Sequence, residues 1–466
     1  MKNNLLLLLV SGIFWMFFIG KWSVAIAAWV CLALWLRSSL KLKLRELVVF
    51  GYPLFVITGF IASYGMIGSK LLAFGVVLVI TLIYFIPLII NTLLYKYQNS
   101  FVWTLLFPAL FTLADFTALK LNPFGSWTSI AYSQYGNTAL LQSLSVFGIS
   151  GLTFIIAWCS SVVNYLWEKN FDLKNISKIW LIYPTILFLI FLLGGLRILS
   201  NNNSPSVRVA SIGVNDTIAG DDERTVDSLF DLTVKESVAG AKIVLWAEAN
   251  GRITEGQEEA SMQRAANIAK QQNIYLFSSW WISLTDSNPK LAKNKVVGFN
   301  PKGERVLDYL KTNPVPGEPI IKGDGQIQTV DTEYGKIAVA ICFDNDFPEL
   351  MTQVGRAKAD ILLSPSRDWS AIDPKHSQNL SFRAIENGVS MVKQTNLGFS
   401  MAFDSKGRTI NQMDYYNTNQ RVMITQLPTK GERVIYPYIE YLTIVVSVFI
   451  VVGLSLSIRL GKRQKL

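Results

Sequence analysis

The sequence predicts a helical membrane bundle joined to a separate α/β domain, and three observations carry that expectation. The chain has 466 residues, 51% of them hydrophobic, too apolar a composition for an ordinary soluble protein. The apolar residues concentrate in 1–200 and 438–459, in runs close to the roughly 20 residues that cross a bilayer. Residues 205–435 instead carry ordinary charge and turn residues, with short apolar runs alternating with amphipathic segments, the pattern of an α/β domain. The expected organisation is a membrane domain of about seven helices over 1–200, an α/β domain over 201–437, and a closing span with a basic tail over 438–466.

Eight spans are expected, at 3–20, 22–36, 47–67, 72–93, 101–119, 145–167, 179–199 and 438–458. The second is short enough to lie at the interface. Lys2 and the small residues Ala25-Ile26-Ala27 resemble a signal peptide, but the apolar sequence continues past them, so an uncleaved span is expected. With a cytoplasmic N-terminus, Arg37, Lys41, Lys43, Arg45, Lys96, Lys169, Lys174 and Lys178 fall inside, as do Arg459, Lys462, Arg463 and Lys465 of the tail. Only Lys21, Lys70 and Lys120 fall outside, as the positive-inside rule requires. This places 201–437 outside the cytoplasm. Asp115 lies within the fifth run, where a carboxylate is either functional or a polar group facing the bundle. The uncharged, aromatic loop from Leu121 to Gly136 reads as a ledge at the lipid edge or as a plain interfacial loop. Trp and Tyr residues along the spans read as interfacial anchors or lipid-facing bulk.

Within the α/β domain, strands are expected at Val207–Ile212, Lys242–Trp246, Ile274–Ser278, Lys295–Asn300, Glu304–Tyr309, Ile337–Ile341, Asp360–Leu363 and Ser390–Gln394. Helices are expected at Asp222–Ala239 and Glu255–Gln272. Pro301-Lys302-Gly303 and Tyr334-Gly335 read as tight turns.

The net charge of +10 follows the membrane edges, and no basic stripe with interleaved aromatics marks a nucleic-acid surface. Three cysteines make no disulfide framework. The single histidine, His376, leaves no His-based metal site, and neither metal nor cofactor is expected.

Cys342 is the one cysteine outside the apolar spans. It stands between a strand and a helix start, where Asp346 is placed to cap the helix and Pro348 suits its first turn. Such a helix end favours a thiolate. Taken alone, the residue reads equally as a buried structural thiol. Glu248 follows the apolar strand ending at Trp246, a place suited to a general base. Lys311 ends another strand, where an ammonium can hold charge on a substrate oxygen. Separately, each reads more simply as a solvated strand-end residue.

Together, Glu248, Lys311 and Cys342 resemble the catalytic set of the nitrilase superfamily of carbon–nitrogen hydrolases. Tyr309 to Glu318 resembles that superfamily's lysine motif, and Ala340 to Asp344 with Phe347-Pro348 resembles its cysteine elbow. Ser366 to Trp369, His376 to Gln378, Arg383 to Gly388 and Asn396 to Ser400 resemble the stretches that follow. With the spans, the Phe124 to Trp127 and Tyr132 to Gln134 segments, and Phe147 to Gly151, nearly the whole chain resembles the apolipoprotein N-acyltransferase family.

The resemblance implies an αββα sandwich and acyl transfer through a Cys342 thioester. Glu248 would be the base and Lys311 the oxyanion holder, with Glu318, Phe343 and Asp344 in support. It implies a phospholipid acyl donor, a lipid-modified apolipoprotein acceptor, and a monomer in the bacterial inner membrane with its catalytic domain outside. Alternatives are an amidase or acyltransferase of the same superfamily acting on another amine, or a non-catalytic sensor. Glu318 stands one residue closer to Lys311 than is usual for the family. Asn313 replaces a histidine and Asp344 a glutamate, and the family's early tryptophan has no counterpart between Val207 and Phe230.

Overall fold

The computed structural model describes residues 2–97, 100–173, 177–200, 204–214, 222–285, 290–418 and 421–463. Lys174 and Lys465, two of the charges used to orient the spans, lie outside these residues. The chain divides into two compact units, Met1–Ser200 with Ile439–Leu466, and Asn201–Tyr438.

Among the described residues of the first unit, seven helices are long and apolar enough to cross a membrane: Lys2–Ile19, Leu44–Ser63, Lys70–Tyr97, Phe101–Leu121, Leu144–Glu168, Lys178–Leu199 and Leu442–Leu460. This corrects the expected eight. The segment at 22–36 does form a helix, Ala25–Lys41, but it has only 17 residues. At 1.5 Å per residue it falls a few ångströms short of a hydrocarbon core of about 30 Å. It packs against Lys2–Ile19 and Leu144–Glu168, and its basic end is held by Glu168, which pairs with Arg37 and with Lys41 (2.7 Å).

Two polar features organise this bundle. Asp115 is fully buried and accepts hydrogen bonds from Tyr84 Oη (2.5 Å), Ser129 Oγ (3.0 Å) and Thr153 Oγ1 (2.9 Å). These donors tie three separate segments to one carboxylate, so Asp115 faces the bundle. The loop after Leu121 is largely packed into the bundle. It winds through two short 3-10 turns, Gly125–Thr128 and Ile130–Gln134. Ser126 and Gln134 are fully buried, with Gln134 bonded to Trp29 Nε1 (3.1 Å) and to the Ala25 carbonyl (2.9 Å). The next helix breaks at Gly148, whose φ of 59° and ψ of −168° are open to glycine alone. Trp15 and Trp35 are likewise core residues, with Trp35 stacked on Phe55 at 4.2 Å between ring centroids.

The second unit contains thirteen described strands: β1 (Ser206–Ile212), β2 (Ile243–Trp246), β3 (Gly251–Thr254), β4 (Tyr275–Ser283), β5 (Ala292–Phe299), β6 (Arg305–Leu310), β7 (Thr329–Thr332), β8 (Gly335–Val339), β9 (Ile361–Arg367), β10 (Ser390–Asn396), β11 (Phe399–Phe403), β12 (Thr409–Asp414) and β13 (Val422–Pro428). One sheet runs β13-β1-β2-β4-β5-β6, with β3 beside β4, and the other runs β12-β11-β10-β9-β8-β7. The expected turns are hairpins, β5–β6 through Gly303 (φ 78°) and β7–β8 at Gly335 (φ 98°).

Alternation along each strand builds the layers. Val209, Leu245, Val296, Tyr309, Val339, Leu363 and Val392 share one core contributed by both sheets. On the opposite face of the first sheet, Ala210, Val244 and Leu276 pack with Leu229 and Ala265 from helices Asp222–Val238 and Glu258–Gln272. Helix Lys375–Asn387 packs on β10 and β11 of the second sheet and beside helix Pro348–Arg356. The result is the expected αββα sandwich. Its parallel strands β2, β8 and β9 end just before Glu248, Cys342 and Asp368, respectively.

Candidate active site

Lys311 continues the inward-facing alternation of Leu307 and Tyr309, so its stem enters the space between the sheets. Almost no water reaches it, and only paired charge is stable there. Its Nζ donates to Glu248 Oε1 (2.8 Å) and to Glu318 Oε1 (3.1 Å) and Oε2 (2.8 Å). Burial opposes the ammonium charge, but Glu248, Cys342 and Glu318 outweigh it and hold Lys311 well above the usual lysine range. Glu318 is itself fixed by the Val315 amide (2.9 Å).

Asn294 completes this cluster, and the sequence reading missed it. Its Nδ2 donates to Glu248 Oε1 (2.8 Å) and Glu318 Oε1 (3.1 Å), while its carbonyl accepts the Lys311 amide (2.9 Å). A signal was present: Asn294 is an amide two residues before Val296 and shares its inward parity.

Cys342 sits where β8 gives way to a 3-10 turn, Cys342–Asp346, and its backbone is left-handed, with φ 47°. For a residue with a Cβ this costs about 1–2 kcal/mol, so the surroundings must enforce it. Asn345 Nδ2 bonds both the Cys342 carbonyl (2.8 Å) and Ser364 Oγ (2.8 Å), while the Ile341 amide donates to Asp344 (3.2 Å). Burial, then the Glu248 charge, push the thiol well above its ordinary value, against the pull of Lys311 and Lys393. The group therefore rests as a thiol. The expected helix cap is absent: Phe347, not Asp346, precedes helix Pro348–Arg356, and it makes no side-chain cap bond. Pro348 does open that helix. Asp346 turns instead toward His376 Nε2 (3.1 Å).

Asp344 is fully buried and joins the lysine segment to the cysteine turn. It accepts from Tyr309 Oη (2.8 Å), the Asn313 amide (2.7 Å) and Asn313 Nδ2 (3.3 Å). Burial pushes it up to about 6 despite these bonds. The two residues that depart from the family motif, Asn313 and Asp344, thus touch each other. Phe343 packs edge-on against Phe347, with 5.2 Å between ring centroids.

A second charged cluster lies on the other face of β10. Val392 faces the core between the sheets, so Lys393 points toward helix Lys375–Asn387. Its Nζ contacts Asp368 Oδ2 (2.7 Å) and His376 Nδ1 (2.9 Å), and His376 Nδ1 also meets Asp368 Oδ1 (2.7 Å). Cys342, Asp368 and His376 bring metal-ligating atoms within 4.8 Å of one another. The Lys393 ammonium already takes the place of a cation between two of them.

The comparisons with known proteins fit this architecture. A family model for carbon-nitrogen hydrolases matches residues 208–433, and one for the apolipoprotein N-acyltransferase N-terminal domain matches residues 11–162. Together the two models match most of the chain, in the domain combination of an apolipoprotein N-acyltransferase. An apolipoprotein N-acyltransferase of Rickettsia typhi is 23% identical over 70% of this chain and 71% of its own length. One of Geobacter metallireducens is 27% identical over 60% of each. The chain also matches a deaminated glutathione amidase of Dictyostelium discoideum, at 26% identity over 34% of this chain and 62% of that protein. Among solved structures, an amidase from Nesterenkonia sp. aligns at 19% identity, covering 50% of this chain and 94% of its own, with a TM-score of 0.42.

Proposed function

We propose that this protein moves a fatty acyl chain from a membrane phospholipid, through a thioester on Cys342, to the α-amino group of the lipid-modified N-terminal cysteine of apolipoproteins. The observation that carries this reading is the Lys311 ammonium held between Glu248 and Glu318, within electrostatic reach of Cys342. It occurs in a chain with seven described helices of spanning length.

Glu248 takes the Cys342 proton as sulfur attacks the ester carbonyl, because a thiol held so high gives no standing thiolate. Lys311 has three N–H donors and bonds three carboxylate oxygens, two of them on Glu318, so it turns one donor from the partly exposed Glu318 to the oxyanion. The ester C–O bond breaks, and Glu248 returns its proton to the departing lysophospholipid. The incoming amine then attacks the thioester and gives its proton to Glu248. The C–S bond breaks and the Cys342 thiolate is reprotonated. Asp344 and Glu318 hold Lys311 and the cysteine turn in register. With the basic segment at Lys43 and Arg45 on the cytoplasmic side, the five spanning-length helices from Leu44–Ser63 to Lys178–Leu199 leave the α/β unit outside and the last helix returns the tail inside, whichever way the short helix Ala25–Lys41 lies. Both lipid-anchored substrates reach the site by diffusion in the membrane plane. The protein works as a monomer without a cofactor.

The test is intact-mass analysis of full-length protein incubated with phospholipid. A fatty-acyl adduct is expected on the Cys342 peptide and none in Cys342→Ala; an adduct that persists in the variant sinks the reading. The second reading, a different amine acceptor, takes its support from Asn313 and Asp344. Complementation of a strain lacking the acyltransferase separates the two, since failure by a well-expressed protein selects the other acceptor.

A further inference from the structure

The second cluster makes no contact with Lys311 or the two glutamates around it in the bonds described above, yet it reaches the nucleophile's own turn. His376 stands between two carboxylates. Asp346 ends the Cys342 turn, and its Oδ2 lies 3.1 Å from Nε2. Asp368 follows β9, and its Oδ1 lies 2.7 Å from Nδ1. All three side chains are buried. At Nε2 the contact has ion-pair distance without hydrogen-bond geometry, so the charge of the imidazolium is what ties Asp346 to the ring, while Nδ1 meets Asp368 directly.

We infer that His376 is a positioning residue for the nucleophile: its imidazolium clamps Asp346 of the Cys342 turn to Asp368 at the end of β9, and so holds Cys342 in its left-handed attack geometry.

Four groups face the ring: Asp368 from the end of β9, Lys393 from β10, and Asp346 and Cys342 from the turn. With the imidazolium, two carboxylates balance two cations in a buried space. Without it, Asp368 keeps the Lys393 ammonium (2.7 Å), but buried Asp346 loses the positive charge beside it, an arrangement that proteins do not sustain cheaply. Burial opposes the imidazolium, but Asp368 and Asp346 outweigh burial and the repulsion of Lys393, and lift His376 to about 9. The folded value lies above the unfolded one, so the clamp is complete at neutral pH and is lost as pH rises through about 9. Lys375, the preceding residue on the same helix, is pushed down to about 7 by burial, so its titration falls in a separate range.

The inference rests on Cys342 being the nucleophile, and its test uses no lipid, so failure of the proposed donor or acceptor leaves the result standing. Full-length protein in detergent micelles is treated with chloroacetamide between pH 6 and 10.5, and alkylation of the Cys342 peptide is followed by mass spectrometry. Because the thiol titrates well above 9, a simple thiol would still be gaining reactivity there. The expected wild-type rate instead breaks downward near pH 9. In Asp346→Asn the break moves acid-ward by about one unit, because one of two supporting charges is gone. In His376→Gln the break disappears. A purely structural role would lower the rate at every pH and leave the break in place. A break that stays near pH 9 in Asp346→Asn overturns the inference, even if His376→Gln fails to fold. A Cys342 that is never alkylated overturns both this inference and the nucleophile reading.

Discussion

Two lysines reach toward Cys342, Lys311 from the space between the sheets and Lys393 from the helix-facing side of the second sheet, and they differ in nearly everything except the ammonium. Lys311 is gripped by Glu248 and Glu318, and the Glu318 side chain keeps 16% of its surface exposed. Lys393 is gripped by Asp368 and His376, all sealed to 3% or less. A sealed ion network has no solvent-facing partner to give up and can only hold backbone in place. A network with one partner open to solvent can exchange that partner for a substrate oxygen. The difference teaches that access, rather than charge, separates a reactive cluster from a supporting one.

Substitutions can break that contrast. The largest effect is expected from Cys342→Ala, which removes the proposed nucleophile beside both clusters. Acyl transfer measured with labelled phospholipid should fall by roughly three orders of magnitude or more. Lys311→Met should slow acyl-enzyme formation about 100- to 1000-fold, by losing the proposed oxyanion donor. It also leaves Glu248 and Glu318 facing each other without a cation, so thermal unfolding should shift down as well. Lys393→Met should invert the balance. A cost of about 3–5 kcal/mol from the broken buried pair should appear in stability, with a smaller loss of rate per folded molecule. If Lys393→Met proves as inactive as Lys311→Met while fully folded, access is not the deciding variable.

A smaller effect concerns the link between the lysine segment and the cysteine turn. Asp344 is lifted to about 6 in the folded protein from an ordinary value of 3.8. The folded state therefore holds the proton more tightly, and stability from this group is present below about 4 and lost as pH rises to about 6. Melting curves of Asp344→Asn and wild type should diverge across that window and run parallel above it. Curves that stay parallel throughout would show that Asp344 does not titrate there.

What was legible in the sequence was what local patterning writes down. Glu248, Lys311 and Cys342 each follow an apolar strand, and the strand ends brought them to one edge of the sandwich. Asn294 was missed because a lone polar residue in a strand reads as surface until its parity is compared with Val296. Asp346 was misread as a cap because cap residues and tertiary partners are the same residue types, and only the fold brings His376 beside it. The packing of the segment after Leu121 was illegible for a related reason. Its uncharged polar groups suit an interface, while Gln134 finds its partners on Trp29 and Ala25, about a hundred residues earlier in the chain. The shortness of the second span was visible, while its burial against Leu144–Glu168 was not.

Asp115 has a consequence for how the bundle is made. A lone carboxylate near the middle of an isolated helix costs about 2.5–3.5 kcal/mol to insert into a bilayer. Its partners arrive at different times during synthesis. Tyr84 precedes it, but Ser129 and Thr153 follow, the last of them one full span later. The helix Phe101–Leu121 gains its full set of donors only once the chain through Thr153 has entered the membrane. Insertion of these spans is therefore coupled, and a chain truncated before Thr153 should leave Phe101–Leu121 poorly retained in the bilayer.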